Sequence, residues 1–79
     1  MDKISKFLLR LAKEERTFLL TIFDDILNLK TEGYDIKPLK GYKDIYRLKK
    51  GKVRIVFQKA GMKSVIIDVD FRKDIYKNF

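Results

Sequence analysis

The stretch YRLKKGKVRIVF, residues 46–57, alternates apolar and charged side chains on both sides of a single glycine. This alternation is typical of a β-hairpin, in which successive side chains point to opposite faces of the sheet. A two-residue turn at Lys50-Gly51 would place Arg47 directly opposite Arg54. Like charges in that position cost on the order of a few tenths of a kcal/mol. Folding alone therefore does not explain why the hairpin carries so many cations.

The same alternation returns in residues 65–70. A three-residue loop at residues 60–62 would pair this segment with the second hairpin strand and set Asp68 opposite Arg54, either orienting the guanidinium or holding it in an ion pair. With residues 44–49 as the remaining strand, we predict a three-stranded antiparallel sheet. Its predicted core face consists of Tyr46, Leu48, Val53, Ile55, Phe57, Val65, Ile67 and Val69.

The N-terminal part of the chain has helical rather than strand periodicity. Apolar residues recur at helical spacing over residues 4–11 and again over residues 18–29. Gly33 is the predicted C-terminal stop of the second helix. We therefore predict one α+β domain spanning residues 1–79, with an N-terminal helical hairpin packed on the sheet.

The composition excludes several kinds of chemistry. The chain has no cysteine and no histidine, which removes disulfides and the commonest zinc ligands and general base. No apolar run approaches the roughly 20 residues that a membrane-spanning helix needs. We expect a cytoplasmic protein without a metal or another cofactor.

The positive charge is concentrated in one segment. The net charge is +8, and residues 37–59 contain nine Lys/Arg against one Asp. A solvated basic surface would keep a protein soluble, whereas cations on a rigid sheet also suit a phosphodiester, whose negative charge grows during cleavage. Arginines can bind its oxygens through forked donors, and a lysine is a candidate general base. The ending DFRKDIYKNF, residues 70–79, adds Arg72, Lys73 and Tyr76, and a tyrosine beside cations suits stacking on an exposed base.

Two stretches, LKGYKDIYRLKKGKVRIVFQ and SVIIDVDFRKDIYK, resemble the C-terminal two-thirds of the RelE/ParE superfamily of bacterial toxin–antitoxin toxins. The segment KISKFLLRLAKEERTFLLTIFDDIL is similar to the helical hairpin of that superfamily. The resemblance implies a sheet covered by two helices and an acidic antitoxin that neutralises the toxin. For the RelE-like branch it also implies metal-independent mRNA cleavage on the ribosome, in which the ribose 2′-hydroxyl attacks the adjacent phosphate.

The resemblance also implies roles for individual residues. Arg54 matches the arginine that stabilises the transition-state phosphate, and Arg72 matches a second essential arginine. Lys49 is the candidate general base, and Tyr76 matches a C-terminal tyrosine that stacks on the substrate or assists proton transfer. Further substrate-binding candidates are Arg47, Lys50, Lys52 and Lys73.

Two departures from the superfamily pattern keep other functions open. Its members usually begin with a β-strand, which this sequence lacks before its first helix. Many carry Gly-His-Arg where this chain has Asp70-Phe71-Arg72, so acid–base chemistry by histidine is excluded. The alternatives are a ParE-like inhibitor of DNA gyrase, an inactive homologue that only binds its antitoxin, and an unrelated basic RNA-binding module.

Overall fold

The computed structural model describes residues 2–72 and residue 75. Two helices precede four strands, and the strands form one antiparallel sheet in the order β1-β2-β3-β4. The predicted α+β class, with two helices and an antiparallel sheet, is confirmed. The elements are α1 Lys3–Leu9, α2 Lys13–Leu27, β1 Asp35–Pro38, β2 Ile45–Lys50, β3 Val53–Ala60 and β4 Lys63–Asp70.

Side chains fix the break between the two helices, where the sequence has neither glycine nor proline. Nε of Arg16 donates to the carbonyl of Leu8 at 3.0 Å, and its Nη2 donates to the carbonyl of Leu11 at 3.1 Å. Leu8 lies in the last turn of α1 and Leu11 follows that helix, so the side chain of one residue of α2 holds the end of α1 and the connection in place. The side chain of Glu15 accepts a bond from the N–H of Ala12 at 3.1 Å, which caps the start of α2.

The second helix ends before Gly33, so the predicted stop is wrong. Leu29 follows the helix with a φ of 60°, in the left-handed region that normally favours glycine. The N–H of Leu29 bonds to the carbonyl of Ile26 at 3.2 Å, and that of Lys30 bonds to the carbonyl of Asp25 at 2.7 Å. This pair of bonds is a Schellman motif, which a leucine supplies here at the cost of backbone strain.

The sheet has a fourth strand that the sequence did not indicate. β1 pairs antiparallel with β2, which places Ile36 opposite Leu48 and Lys37 opposite Arg47. Its four residues end in Pro38 and are too few for a recognisable alternation. The prediction of three strands is therefore corrected to four. Among the described residues no strand precedes α1.

The β2–β3 hairpin has a different register from the predicted one. Its two-residue turn is Gly51-Lys52, and Gly51 occupies the first central position with a φ of 57°, as a type II′ turn requires. Lys49 therefore lies opposite Arg54, and Arg47 lies opposite Val56. The predicted direct pair of arginines is wrong, but a shift of two residues leaves every side chain on its predicted face.

The β3–β4 hairpin also differs from its predicted register. It turns at residues 61–62, and a β-bulge interrupts the pairing between Val56 and Phe57. The two-residue turn places Ile66 opposite Phe57, where it packs against the core, and the bulge then shifts the pairing by one residue and returns Val69 to the core side. Val65 is 58% exposed, and Ile67 is not part of the core cluster. Both had been predicted in the core.

The main core lies between the helices and one face of the sheet. Both helices pack against β4. The remaining predicted core residues of β2, β3 and β4 are confirmed, with Tyr46 partly buried at the margin. The buried members of the cluster are Leu11, Leu19, Ile22, Phe23, Ile26, Leu48, Val53, Ile55, Phe57 and Val69.

Candidate functional site

The face of the sheet turned away from this core is called the far face. The strand register places its side chains, most of which are charged, in two rows that run across the sheet. The first row is Asp35, Lys49, Arg54 and Asp70, and the second is Lys37, Arg47, Val56 and Asp68.

Four cations of these rows form a compact group, called the cationic block: Lys37, Arg47, Lys49 and Arg54. Lys50 and Val53 flank a two-residue turn and form a hydrogen-bonded pair, so the neighbouring pair Lys49 and Arg54 is of the non-hydrogen-bonded kind. Pairs of that kind have Cα atoms only about 4.5 Å apart. The structure thus brings together the three far-face candidates that the sequence predicted on β2 and β3.

Lys37 belongs to the cationic block because β1 places it directly opposite Arg47. A lysine outside any recognisable strand is expected only to attract phosphates nonspecifically. The polar–apolar–polar order of Asp35, Ile36 and Lys37 was the available signal, but it covers too few residues to predict a strand.

Arg54 is held in place more firmly than a surface arginine. The residue is only 7% exposed. Its Nη1 donates to the carbonyl of Gly51 at 2.8 Å and to that of Val53 at 3.2 Å. No carboxylate among the described residues lies within 4 Å of its guanidinium. The two carbonyl bonds fix the orientation of the guanidinium, and its burial restricts access from the far face.

The far face is covered next to Arg54. Val56 is fully buried although its side chain belongs to this face, and it is not part of the main core cluster. Ile75, which follows β4 in the chain, is also buried outside that cluster. A ligand can therefore reach Lys49, which is exposed, more easily than Arg54, which is buried.

Asp68 does not lie opposite Arg54, so the expected contact between them is corrected. The turn at residues 61–62 and the bulge each shift the pairing by one residue from the predicted register, so Asp68 lies opposite Val56 and Asp70 lies opposite Arg54. Asp68 is buried, and its carboxylate accepts a bond from Nζ of Lys3 at 2.9 Å. It also accepts the N–H of Val69 at 2.8 Å. Asp68 therefore joins α1 to β4.

Two of the substrate-binding candidates lie apart from the cationic block. Lys50 is on the core side of the sheet by its pairing with Val53, and its Nζ lies 5.8 Å from the ring centroid of Tyr34. Lys52 is exposed in the β2–β3 turn.

The C-terminal candidates are only partly described. Arg72 is exposed and follows β4 at the end of the sheet where Asp70 pairs with Arg54. Lys73 and Tyr76 lie outside the described residues.

A second polar cluster lies beside the end of α2. The hydroxyl of Tyr34 donates to the carboxylate of Asp25 at 2.5 Å. The carboxylate can accept this hydrogen bond only while the phenol keeps its proton. The bond therefore raises the pKa of Tyr34 to about 12. Both residues line an open cavity of about 650 Å³ that also contacts Lys50.

Across residues 2–72 and 75, no group of three acidic side chains is arranged to hold a metal ion. Within that same part of the chain, no helix is long and apolar enough to cross a membrane.

One chain in the solved structure of the RelB–RelE antitoxin–toxin complex from Methanococcus jannaschii has a similar fold, with a TM-score of 0.73. The two sequences are 28% identical, and the match covers 99% of this chain and 95% of that chain. No protein-family model and no curated protein sequence matches. The similarity supports assigning this chain to the proteins of toxin–antitoxin systems.

Proposed function

We propose that this chain is the toxin of a type II toxin–antitoxin system and that it cleaves mRNA on the ribosome without a metal. The observation that carries the proposal is the cationic block, in which Arg47, Lys49 and Arg54 share one face of a rigid sheet. A strand pair holds side chains at fixed separations, which a flexible basic tail cannot do. The similarity to a chain of an antitoxin–toxin complex supports the same proposal.

Charge favours the toxin role and an acidic antitoxin as partner. The net charge is +8, and its excess lies in residues 37–59, which contain β2 and most of β3. The same basic surface attracts the phosphates of an RNA and the carboxylates of an acidic protein. An antitoxin that covers this surface would neutralise the toxin by competing with its substrate.

In the proposed reaction the ribose 2′-hydroxyl attacks the adjacent phosphorus, the P–O5′ bond breaks, and the products are a 2′,3′-cyclic phosphate and a 5′-hydroxyl. The amine of Lys49 accepts the proton of the 2′-hydroxyl, a water molecule donates the proton that the departing O5′ takes up, and Arg54 and Arg72 stabilise the charge that develops on the phosphate oxygens. Nη1 of Arg54 already bonds to two backbone carbonyls, so Nε and Nη2 are the groups that would meet the phosphate. Tyr76 would stack on a base, and Arg47, Lys52 and Lys73 would bind the RNA backbone.

The test is expression of the chain in growing cells, with new mRNA 5′ ends mapped on translating ribosomes. Cuts within codons that disappear in Arg72→Ala support the proposal, because Arg72 is exposed and its loss should leave the fold intact. Lys13→Ala is the matched control, since it removes an exposed cation from the helical side of the molecule. Growth without arrest and without new 5′ ends would reject the nuclease.

A second candidate is favoured by the burial of Arg54, which is only 7% exposed. A noncatalytic, ParE-like inhibitor of DNA gyrase, or an inactive homologue that only binds its antitoxin, needs no accessible arginine at this position. DNA damage without new mRNA ends would support the gyrase inhibitor. Antitoxin binding without any growth arrest would support the inactive homologue.

A further inference from the structure

The two edges of the sheet are unlike each other. β1 forms one edge, and it is short and ends in Pro38, two features that discourage pairing with another strand. β4 forms the other edge and is twice as long as β1. In an antiparallel ladder, alternate residues of an edge strand direct their N–H and C=O groups away from the sheet.

The C-terminal half of β4 is closed to a further strand. The N–H of Val69 donates to the side chain of Asp68 at 2.8 Å, and the N–H of Phe71 donates to the side chain of Asp70 at 2.6 Å. Helix α1 lies against the same half, where Nζ of Lys3 bonds to Asp68. Here the outward backbone donors are satisfied by the chain itself.

The N-terminal half of β4 is open. Ala60 and Lys63 flank a two-residue turn and form a hydrogen-bonded pair, so the backbone groups of Ser64 and Ile66 point outward. No acceptor among the described residues bonds to either amide. Val65, between them, is 58% exposed, and natural proteins usually protect such an apolar edge.

A groove on the core side adjoins this open edge. Its volume is about 110 Å³, and its apolar lining includes Tyr46 and Phe57, whose rings stack 5.7 Å apart. Ser64 also lines it; this residue is only 9% exposed, and its Oγ has no hydrogen-bond partner among the described residues. The groove thus combines an apolar lining with an unused buried hydroxyl beside an unpaired strand edge.

We propose that an extended segment of an acidic antitoxin adds to the sheet as a fifth strand along residues 64–66. Alternate side chains of the added strand would be apolar, toward the groove, and acidic, toward the far face beside Lys63. Lys59 at the rim of the groove and the net charge of +8 favour an acidic partner over a second copy of this chain. The assignment of the partner as an antitoxin rests on the proposed function, whereas the assignment of residues 64–66 as the pairing edge does not.

The test uses an eight-residue peptide of alternating valine and glutamate, added to the full chain, with amide hydrogen exchange followed by NMR. We expect slower exchange at Ser64 and Ile66 and unchanged exchange at Val69. Ser64→Pro removes an outward N–H that has no ladder partner, and it should weaken peptide binding about tenfold. Ser64→Ala keeps this N–H and loses only the hydroxyl, so it should bind the peptide more tightly than Ser64→Pro. Circular dichroism checks that both variants are folded.

Several other outcomes would reject the proposal. Protection of amides elsewhere, equal binding by Ser64→Pro, or no binding at millimolar peptide would reject the added strand. Slower exchange at Ser64 that depends on protein concentration without peptide would assign the edge to a second copy. Because the readout needs no toxicity, a chain that causes no growth arrest but binds the peptide at this edge would reject only the proposed function.

Discussion

Replacement of Arg54 by methionine tests whether this buried arginine stabilises the fold. Methionine keeps a long apolar stem but cannot donate to the carbonyls of Gly51 and Val53, which Nη1 of Arg54 now contacts at 2.8 and 3.2 Å. Each hydrogen bond from a charged donor contributes about 1.5 kcal/mol. The substitution also removes the repulsion between Arg54 and Lys49, which lies opposite, and this raises the free energy of unfolding by a few tenths of a kcal/mol. The expected net loss of unfolding free energy is about 2.5 kcal/mol.

Urea unfolding measures this loss directly. For a chain of this size, an m-value of about 1 kcal/mol/M converts the loss into a fall of about 2.5 M in the unfolding midpoint. Arg72→Met is the matched control, because Arg72 is exposed beyond β4 and its replacement should change the free energy by less than about 0.5 kcal/mol. An Arg54→Met variant as stable as the wild type would refute the structural role of these bonds.

A double-mutant cycle with Lys49→Met isolates the contact between the two cations. The Lys49–Arg54 coupling should be repulsive by a few tenths of a kcal/mol, and salt should reduce it. An attractive coupling would contradict the pairing of these residues across β2 and β3. The proposed toxicity should be tested only with Arg54 variants that remain folded, because an unfolded protein loses any activity.

Three further predictions concern other parts of the molecule. Leu29→Gly should be more stable than Leu29→Ala by about 1 kcal/mol, because only glycine relieves the strain of the positive φ. Urea unfolding midpoints in the opposite order would contradict this prediction. Tyr34→Phe removes the hydrogen bond to Asp25 and should lower the free energy of unfolding by about 1 kcal/mol at neutral pH. Folding raises the pKa of Tyr34 from 10.0 to about 12, so the wild type should have its full stability advantage over Tyr34→Phe below pH 10 and lose it as the pH rises toward 12. A stability difference that is independent of pH would refute the bond. Asp68→Asn should lower the free energy of unfolding by at most about 1 kcal/mol, because the ion pair partner Lys3 is largely exposed. Asp68→Ala should lower it by about 2 kcal/mol more, because the buried N–H of Val69 is then left unpaired. Equal free energies of unfolding for the two variants would exclude this role of Asp68.

The sequence was sufficient to predict which residues share a face of the β2–β3 hairpin. Arg47, Lys49 and Arg54 lie on the far face as expected, although the predicted register was displaced by two residues. Alternation is a local property of an extended chain, and a slip of an even number of residues does not change it. The two amphipathic helices and the α+β class followed from equally local periodicities.

The predicted position of β4 failed because neither the two-residue turn at residues 61–62 nor the β-bulge is visible in the pattern. Val65, Ile67 and Val69 alternate regularly in the sequence, yet only Val69 joins the core. A bulge inserts one residue into one strand according to how the partner strand and the helices pack, and together with the shorter turn it places Asp70 rather than Asp68 opposite Arg54.

The sequence by itself determined the fold class, the concentration of charge and the face on which the hairpin cations lie, because each depends on neighbours in the chain. Only the tertiary structure decided that β1 adds Lys37 to the cationic block, that Arg54 is buried, and that one half of the β4 edge stays open. These features depend on which segments, distant in sequence, come to lie side by side. Burial and edge pairing are properties of the assembled sheet, and no local pattern encodes them.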